Sequence, residues 1–300
     1  MLTTVIIPYY NKINTINRAV ESVLNQTYTS WELIIVDDCS DYPLEMEESW
    51  KAYPVSLIRN EKNQGPGPSR QRGMEMSTGE YLAFLDADDW WDINFLKESL
   101  QAHQVHHSIA ATWVRSETLF PDGSKVVRKY SEIEFDNIQE TILRYPRPWQ
   151  TGSLVWKKKY AGNWGNLSTN QDYYFELSSS LNSNKVKRID QILYFVDQTR
   201  GNHRIDLVNQ SETVQNHFKL FESAFHLIGN QITGYYRIML FHRLIRCMLK
   251  VAENADPHTT ILYWAKLETM YPITKIFYRK QVLLKLAHHS LQKTKFKIYF

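Results

Sequence analysis

Four strand-length apolar runs alternate with helical stretches in the first hundred residues, and three of them break off into polar or acidic side chains. Thr4–Ile7 leads into Pro8-Tyr9-Tyr10-Asn11, and Trp31–Val36 into Asp37-Asp38-Cys39-Ser40. Val55–Ile58 is a shorter run, and Tyr81–Leu85 stops at Asp86-Ala87-Asp88-Asp89. Between the first two, Ile16, Ala19, Val20, Val23 and Leu24 recur at helical spacing, which predicts a helix to about Asn25. A Gly/Pro loop, Asn63-Gln64-Gly65-Pro66-Gly67-Pro68, leads into a second helix around Ser69–Met74 that Thr78-Gly79 stops. Strands that alternate with helices build a mostly parallel sheet with right-handed crossovers, so the fold class is α/β. Such a sheet sends the three polar ends to one rim, where open α/β sheets bind ligands.

The fourth run carries three carboxylates within four residues. Acids that close repel one another unless a cation lies between them, and oxygen-only ligands suit Mg²⁺ or Mn²⁺ shared with phosphates. The plainer alternative is a solvated acidic turn, with Asp92 as N-cap of a helix opening at Ile93. The Gly/Pro loop is neither the G-x-G-x-x-G of a dinucleotide site nor the Gly-Lys-Ser/Thr of a P-loop. Arg70 and Arg72 follow it, and guanidinium forks match phosphate oxygens; the alternative is a solvated helix face, the stronger reading for Arg72 and the weaker for Arg70.

Charge is unevenly spread. Residues 1–100 hold 8 basic against 16 acidic side chains, residues 101–200 hold 13 against 10, and residues 201–300 hold 14 against 6. The acidic crevice of the first part disfavours nucleic acid, and no nucleic-acid module is visible. Two cysteines, Cys39 and Cys247, make neither a metal pattern nor a disulfide framework. With no signal peptide at the first residues and no apolar run of the ~18 residues a spanning helix needs, the expected place is the cytoplasm.

Taken in order, Val5-Ile6-Ile7-Pro8-Tyr9-Tyr10-Asn11, Ile34-Ile35-Val36-Asp37-Asp38-Cys39-Ser40, Asn63-Gln64-Gly65…Arg70-Gln71-Arg72-Gly73 and Gly79–Asp89 resemble the motifs of the family 2 glycosyltransferases. Four motifs in register across about 90 residues are far more specific than any one. The resemblance implies a GT-A fold, with a nucleotide-binding half at residues 1–100 and an acceptor half at residues 101–205. It also implies inverting transfer of a sugar from a nucleotide donor, with Mg²⁺ or Mn²⁺. By position, Asp37 becomes the partner of the donor base, most often uracil, and Asp38 a residue that holds its turn. Pro8, Tyr9 and Asn11 shape the nucleotide pocket, and Arg70 approaches the nucleotide or diphosphate. In Asp86-Ala87-Asp88 the family's D-x-D motif stands intact. Asp86 lies near ribose and metal, Asp88 binds the metal, and Asp89 stays open.

Further on, Ile93, Leu96 and Leu100 mark a helix, Ile109–Phe120 a strand, and Pro121-Asp122-Gly123-Ser124 a turn into Lys125–Arg128. Pro146-Arg147-Pro148-Trp149 is a rigid segment before the strand Leu154–Trp156; Trp149 is either a sugar platform or a packed anchor. Asn170–Leu177 opens a helix, where the resemblance makes Asp172 the general base for the acceptor hydroxyl. Gln171 stands where the family carries Glu and is an acceptor-contact candidate. The alternative for Asp172 is a carboxylate that only favours the helix N-terminus. Gln198–Arg204 falls where the family has a His-containing loop, so His203 is a metal or phosphate candidate.

Beyond residue 205 the resemblance fades into helical, basic patterns over residues 206–300, ending in Lys293-Thr294-Lys295-Phe296-Lys297. Peripheral contact with the inner face of an anionic membrane, where lipid-linked acceptors lie, is one role for it; packing or a homodimer contact is the other. Two function classes stay open: a sugar transferase for a glycan or lipid-linked acceptor in surface polysaccharide synthesis, or a non-catalytic nucleotide-sugar binder or scaffold of the same fold.

Overall fold

The structure, a computed structural model, describes residues 1–199 except 130–132, 145, 146, 166, 168 and 169. The chain divides into two compact units, Met1–His203 and Arg204–Phe300. His203, the basic tail and the helical region expected after residue 205 lie outside the described residues.

The first unit is an α/β fold on one nine-stranded sheet. Its parallel part consists of β1 (Thr3–Tyr9), β2 (Trp31–Asp37), β3 (Val55–Arg59) and β4 (Tyr81–Phe84), in the order β3-β2-β1-β4. β1 and β4 are near-continuous apolar runs because helices and loops cover both faces, as a parallel sheet requires. The first strand does not end at Pro8 but pairs with β2 through Tyr9. β4 accompanies it only to Ile6, so Pro8 has one strand neighbour and its missing N–H costs no bond on the other side. α1 (Ile13–Leu24) buries Ile16, Ala19, Val20 and Val23, the stripe expected from the sequence. α2 (Pro66–Met76) starts behind Gly65, whose φ of +90° favours glycine.

Past β4 the sheet is mixed rather than mostly parallel. β8 (Leu154–Lys157) pairs antiparallel with β4 and with β6 (Ala111–Leu119). β7 (Lys125–Val127) completes the expected hairpin on β6. A twelve-residue strand, β9 (Val186–Asp197), runs parallel to β6 with register shifts around Arg115. The two-residue β5 (Trp90–Trp91) pairs with β9, which pulls the acidic stretch onto the sheet. As a result α3 begins at Phe95, not Ile93, and runs to Val105 (Phe95–Val105) behind Asn94. Asp92 is therefore not the N-cap; its Oδ1 accepts the Asn94 backbone N–H at 2.9 Å, one turn earlier. α4 (Ile138–Arg144) and α5 (Gln171–Ser180) complete the described helices.

Candidate active site

The loops after β1 and β2 close on each other. Asn11, at φ +51°, gives its amide N–H to Asp41 Oδ2 and takes the Asp41 backbone N–H, both at 2.9 Å, while its own N–H reaches Ser40 Oγ at 3.0 Å. Tyr9 is buried beneath this clasp, and its hydroxyl is pushed up by burial and then by the charge of Asp37. Asp37 is 1% exposed, with Oδ1 taking the Ser40 N–H at 2.9 Å and Oδ2 the Leu44 N–H at 3.3 Å. Arg59, directly opposite it in the β2–β3 register, forms an ion pair with the same carboxylate. These bonds tie Asp37 to the loop after β2 and to β3 and fill three of the roughly four acceptor sites of its carboxylate. Asp38 accepts Asn60 Nδ2 at 2.8 Å and the Gly65 backbone N–H at 2.6 Å, so it ties the Gly/Pro loop to β2. Tyr10, by contrast, stands exposed on the β1 loop.

At the end of β4, Asp86 is 37% exposed and paired with Arg70 of α2, and Asp88 is 22% exposed and 2.9 Å from Lys12 Nζ. The Arg70 guanidinium lies 4.7 Å over the Trp164 ring, which fixes it beside the acids. Among the described residues the second oxygen of each carboxylate takes no hydrogen bond. Asp89 differs. It is buried, accepts the Tyr194 hydroxyl through Oδ2 and takes the Asp197 N–H at 3.1 Å through Oδ1. Burial, and then the charges of Asp86 and Asp88, raise its carboxyl well above the ordinary range. Asp89 thus joins the two parts of the sheet. Arg72 holds the end of β3, donating to the Arg59 carbonyl at 2.9 Å and to Asn60 Oδ1 at 2.6 Å.

No group of three or more acids and histidines converges among the described residues. Asp86 and Asp88 nevertheless fit a Mg²⁺ or Mn²⁺ ion, which characteristically takes one or two carboxylates and completes its shell with phosphate oxygens and water. Lys12 and Arg70 already supply positive charge to these acids.

α5 brings the second part of the site. Its first residue packs on the loop opening α2: a Cβ at Gly67 would meet Gln171 Cδ at 2.6 Å. Trp164 stacks on Phe175 with centroids 4.5 Å apart, and both rings meet Phe84 of β4 edge-on. Asp172, in the first turn, is 28% exposed and ion-paired with Arg147. Gln171 itself is buried and gives its amide N–H to the Leu167 carbonyl at 2.5 Å, a bond the family's Glu could not donate. It therefore packs at the junction of α5 with the start of α2. Trp149 is fully buried and tilted against Trp113 at 5.5 Å, so it is the packed anchor and offers no face to a sugar.

Sequence reasoning missed Lys12, Arg59, Trp164, Arg147, Glu176 and Tyr194. Arg59 could have been found, since the parallel register sets the last residue of β3 beside the acid ending β2. The partners of Asp172 and Asp89 depend on β9 and on the segment before β8, which carried no such signal.

The sequence matches the family model described as Glycosyl transferase family 2 over residues 4–168, more than half of the chain. It is 43% identical over 88 residues to an uncharacterized glycosyltransferase of Haemophilus influenzae, covering 29% of this chain and 30% of that protein. Over 101 residues it is 37% identical to the Escherichia coli UDP-Glc:alpha-D-GlcNAc-diphosphoundecaprenol beta-1,3-glucosyltransferase WfgD, covering 32% and 38%. The match thus spans about a third of the length of these relatives. Among solved structures, S. aureus TarS 1–349 superposes with a TM-score of 0.71 at 17% identity, covering 96% of this chain and 89% of that one. A mannosyltransferase from Pyrobaculum calidifontis, solved with GDP-Man and Mn²⁺, gives 0.54 at 12% identity, covering 98% and 88%.

Proposed function

This chain belongs to glycosyl transferase family 2, and on that footing we propose that it is an inverting, metal-dependent transferase moving a sugar from a UDP-sugar to a hydroxyl of a glycan or lipid-linked acceptor in surface polysaccharide synthesis. One observation supports the reading: Gln171, the residue before Asp172 on α5, packs against Gly67 at the start of α2, the helix whose Arg70 pairs with Asp86. S. aureus TarS 1–349 has been solved in complex with UDP-GlcNAc, which supports the donor class, and the name of WfgD gives a UDP-sugar donor and a diphosphoundecaprenol acceptor, which supports both classes.

In this reading Pro8, Tyr9, Asn11 and Asp37 shape the nucleotide pocket through the clasp between the first two loops. Asp86 and Asp88 hold Mn²⁺ or Mg²⁺, which when bound supplies Lewis-acid charge for the leaving diphosphate. Arg70, braced by Trp164, adds a fixed guanidinium to the same charge. Asp172 takes the proton of the acceptor hydroxyl as that oxygen attacks the anomeric carbon and the bond to the diphosphate breaks on the opposite face. Gln171 and Trp149 support this arrangement from within the fold. The protein would act in the cytoplasm at the inner face of the membrane, with the basic region after residue 205 meeting anionic lipid. Vesicle co-sedimentation of the full chain against a truncation before Lys293 tests that part; equal sedimentation refutes it.

The test of function is a thermal-shift screen of nucleotide sugars with Mn²⁺, followed by transfer assays with and without EDTA. Asp172→Asn should lower turnover by the ~10²–10⁴-fold a general base contributes, with donor binding retained. Wild-type turnover in that variant refutes the base assignment. Donor binding without transfer or hydrolysis under any condition leaves a non-catalytic nucleotide-sugar binder.

A further inference from the structure

Asp172 and Glu176 lie four residues apart on α5 and so share a helix face. Two carboxylates there repel each other, and Glu176 is buried, where a charge needs a partner. Arg147 answers both demands. Its guanidinium is itself buried, giving Nη2 to Glu176 Oε1 at 2.7 Å and Nη1 to Asp172 Oδ2. The same Nη2 reaches Thr151 Oγ1 at 3.5 Å, and Tyr173 covers the guanidinium carbon at 5.2 Å. Behind it, Arg128 donates Nε to the Arg147 carbonyl at 3.1 Å, which fixes the backbone carrying the fork.

We propose that Arg147 is the positioning residue of the reaction, a buried fork that Glu176 anchors from inside the fold so that Asp172 is held toward the acceptor. The inference rests on the reading of Asp172 as the base. A planar guanidinium suits this task because its two N–H edges point in fixed, divergent directions, which the ammonium of Lys cannot reproduce. Glu176 also shares the positive charge, so Arg147 orients Asp172 without claiming its whole capacity to accept a proton. The opposing view makes the three residues folding cement, in which case their loss would affect stability and leave turnover in the folded fraction unchanged.

The full-length protein with UDP-sugar, Mn²⁺ and acceptor separates these views. Arg147→Met should lower kcat by about 10²-fold, the scale of a misplaced reacting group, while donor KM and the nucleotide-induced thermal shift stay within about 2-fold. Millimolar guanidinium ion should restore part of that kcat, and Arg147→Lys should fall between the two. Glu176→Gln keeps the shape of the anchor and should lower kcat about tenfold at unchanged KM, which holds the inference open to refutation if Arg147→Met does not fold. Wild-type kcat in either variant, with Asp172→Asn inactive, overturns the inference alone. Wild-type kcat in Asp172→Asn overturns the base assignment beneath it.

Discussion

His103 gives a stability prediction that can be worked through from the geometry. It lies on α3 with its ring buried, Nε2 2.9 Å from the Val155 carbonyl oxygen and the ring 5.0 Å from that of Tyr81. An Nε2–H donating to that carbonyl leaves Nδ1 buried with no partner, so a second proton would have no acceptor. Burial holds its pKa down from 6.5 to about 4, with the charge of Lys157 acting in the same direction. The folded state therefore keeps the neutral ring, and the stabilisation is complete above the unfolded value of 6.5. It is lost as pH falls toward 4, because the unfolded chain binds a proton the folded one refuses. A shift of this size is worth about 3 kcal/mol in full and about 2.5 kcal/mol by pH 4.5. His103→Gln keeps a donor for Val155 and does not titrate. Urea unfolding of both proteins at pH 7 and 4.5 should show wild type losing roughly 2.5 kcal/mol more than the variant, or about 5–10 °C in melting temperature. Equal losses in the two proteins would show that the buried imidazole is not the source.

Other predictions concern the donor site and the packing beneath it. Asp88→Ala should weaken Mn²⁺-dependent donor binding by at least the ~10–100-fold that loss of even an indirect partner costs, and calorimetric titration with unchanged affinity would remove Asp88 from the metal. Lys12→Met removes the ammonium 2.9 Å from Asp88, so Mn²⁺ affinity of the donor-free protein should rise; unchanged or weaker binding would refute that competition. Gly79→Ala places a Cβ 2.6 Å from the Thr4 nitrogen and 2.9 Å from the Leu2 oxygen, backbone atoms that cannot swing aside. It should cost about 1–3 kcal/mol, and a wild-type melting temperature would contradict the packing argument.

The parallel part of the sheet was legible because three of its four strands, β1, β2 and β4, are apolar runs with an abrupt end, and buried parallel strands need little else. β9 was not, since Val186-Lys187-Arg188-Ile189-Asp190-Gln191 reads as polar chain until its apolar second half. Its place beside β6 comes from pairing that no local pattern announces. The same gap explains the helix start misplaced at Ile93: Trp90-Trp91 reads as the lead-in to a helix until β9 takes it as a strand. In the site, the acids were visible as types at strand ends, whereas their partners were not. Trp149 shows the limit most clearly, because a tryptophan beside a proline has the same letters whether its face is wet or sealed against Trp113.

Those partners change what the acidic rim is. The first hundred residues hold twice as many acids as bases, which by itself describes an open negative hole awaiting a cation. In the structure Asp37 has Arg59, Asp86 has Arg70, Asp88 has Lys12 and Asp172 has Arg147, while Asp38 is held by an amide and backbone N–H groups. A carboxylate already paired with a protein cation gains less from a metal alone than a bare one does, because the incoming ion must displace or share that partner. A diphosphate arriving with the metal changes the balance, since Lys12 and Arg70 can turn to its oxygens as the acids turn to the ion. Under the proposed function, charge is then exchanged among groups already in place, and donor and metal together would be favoured over either one alone.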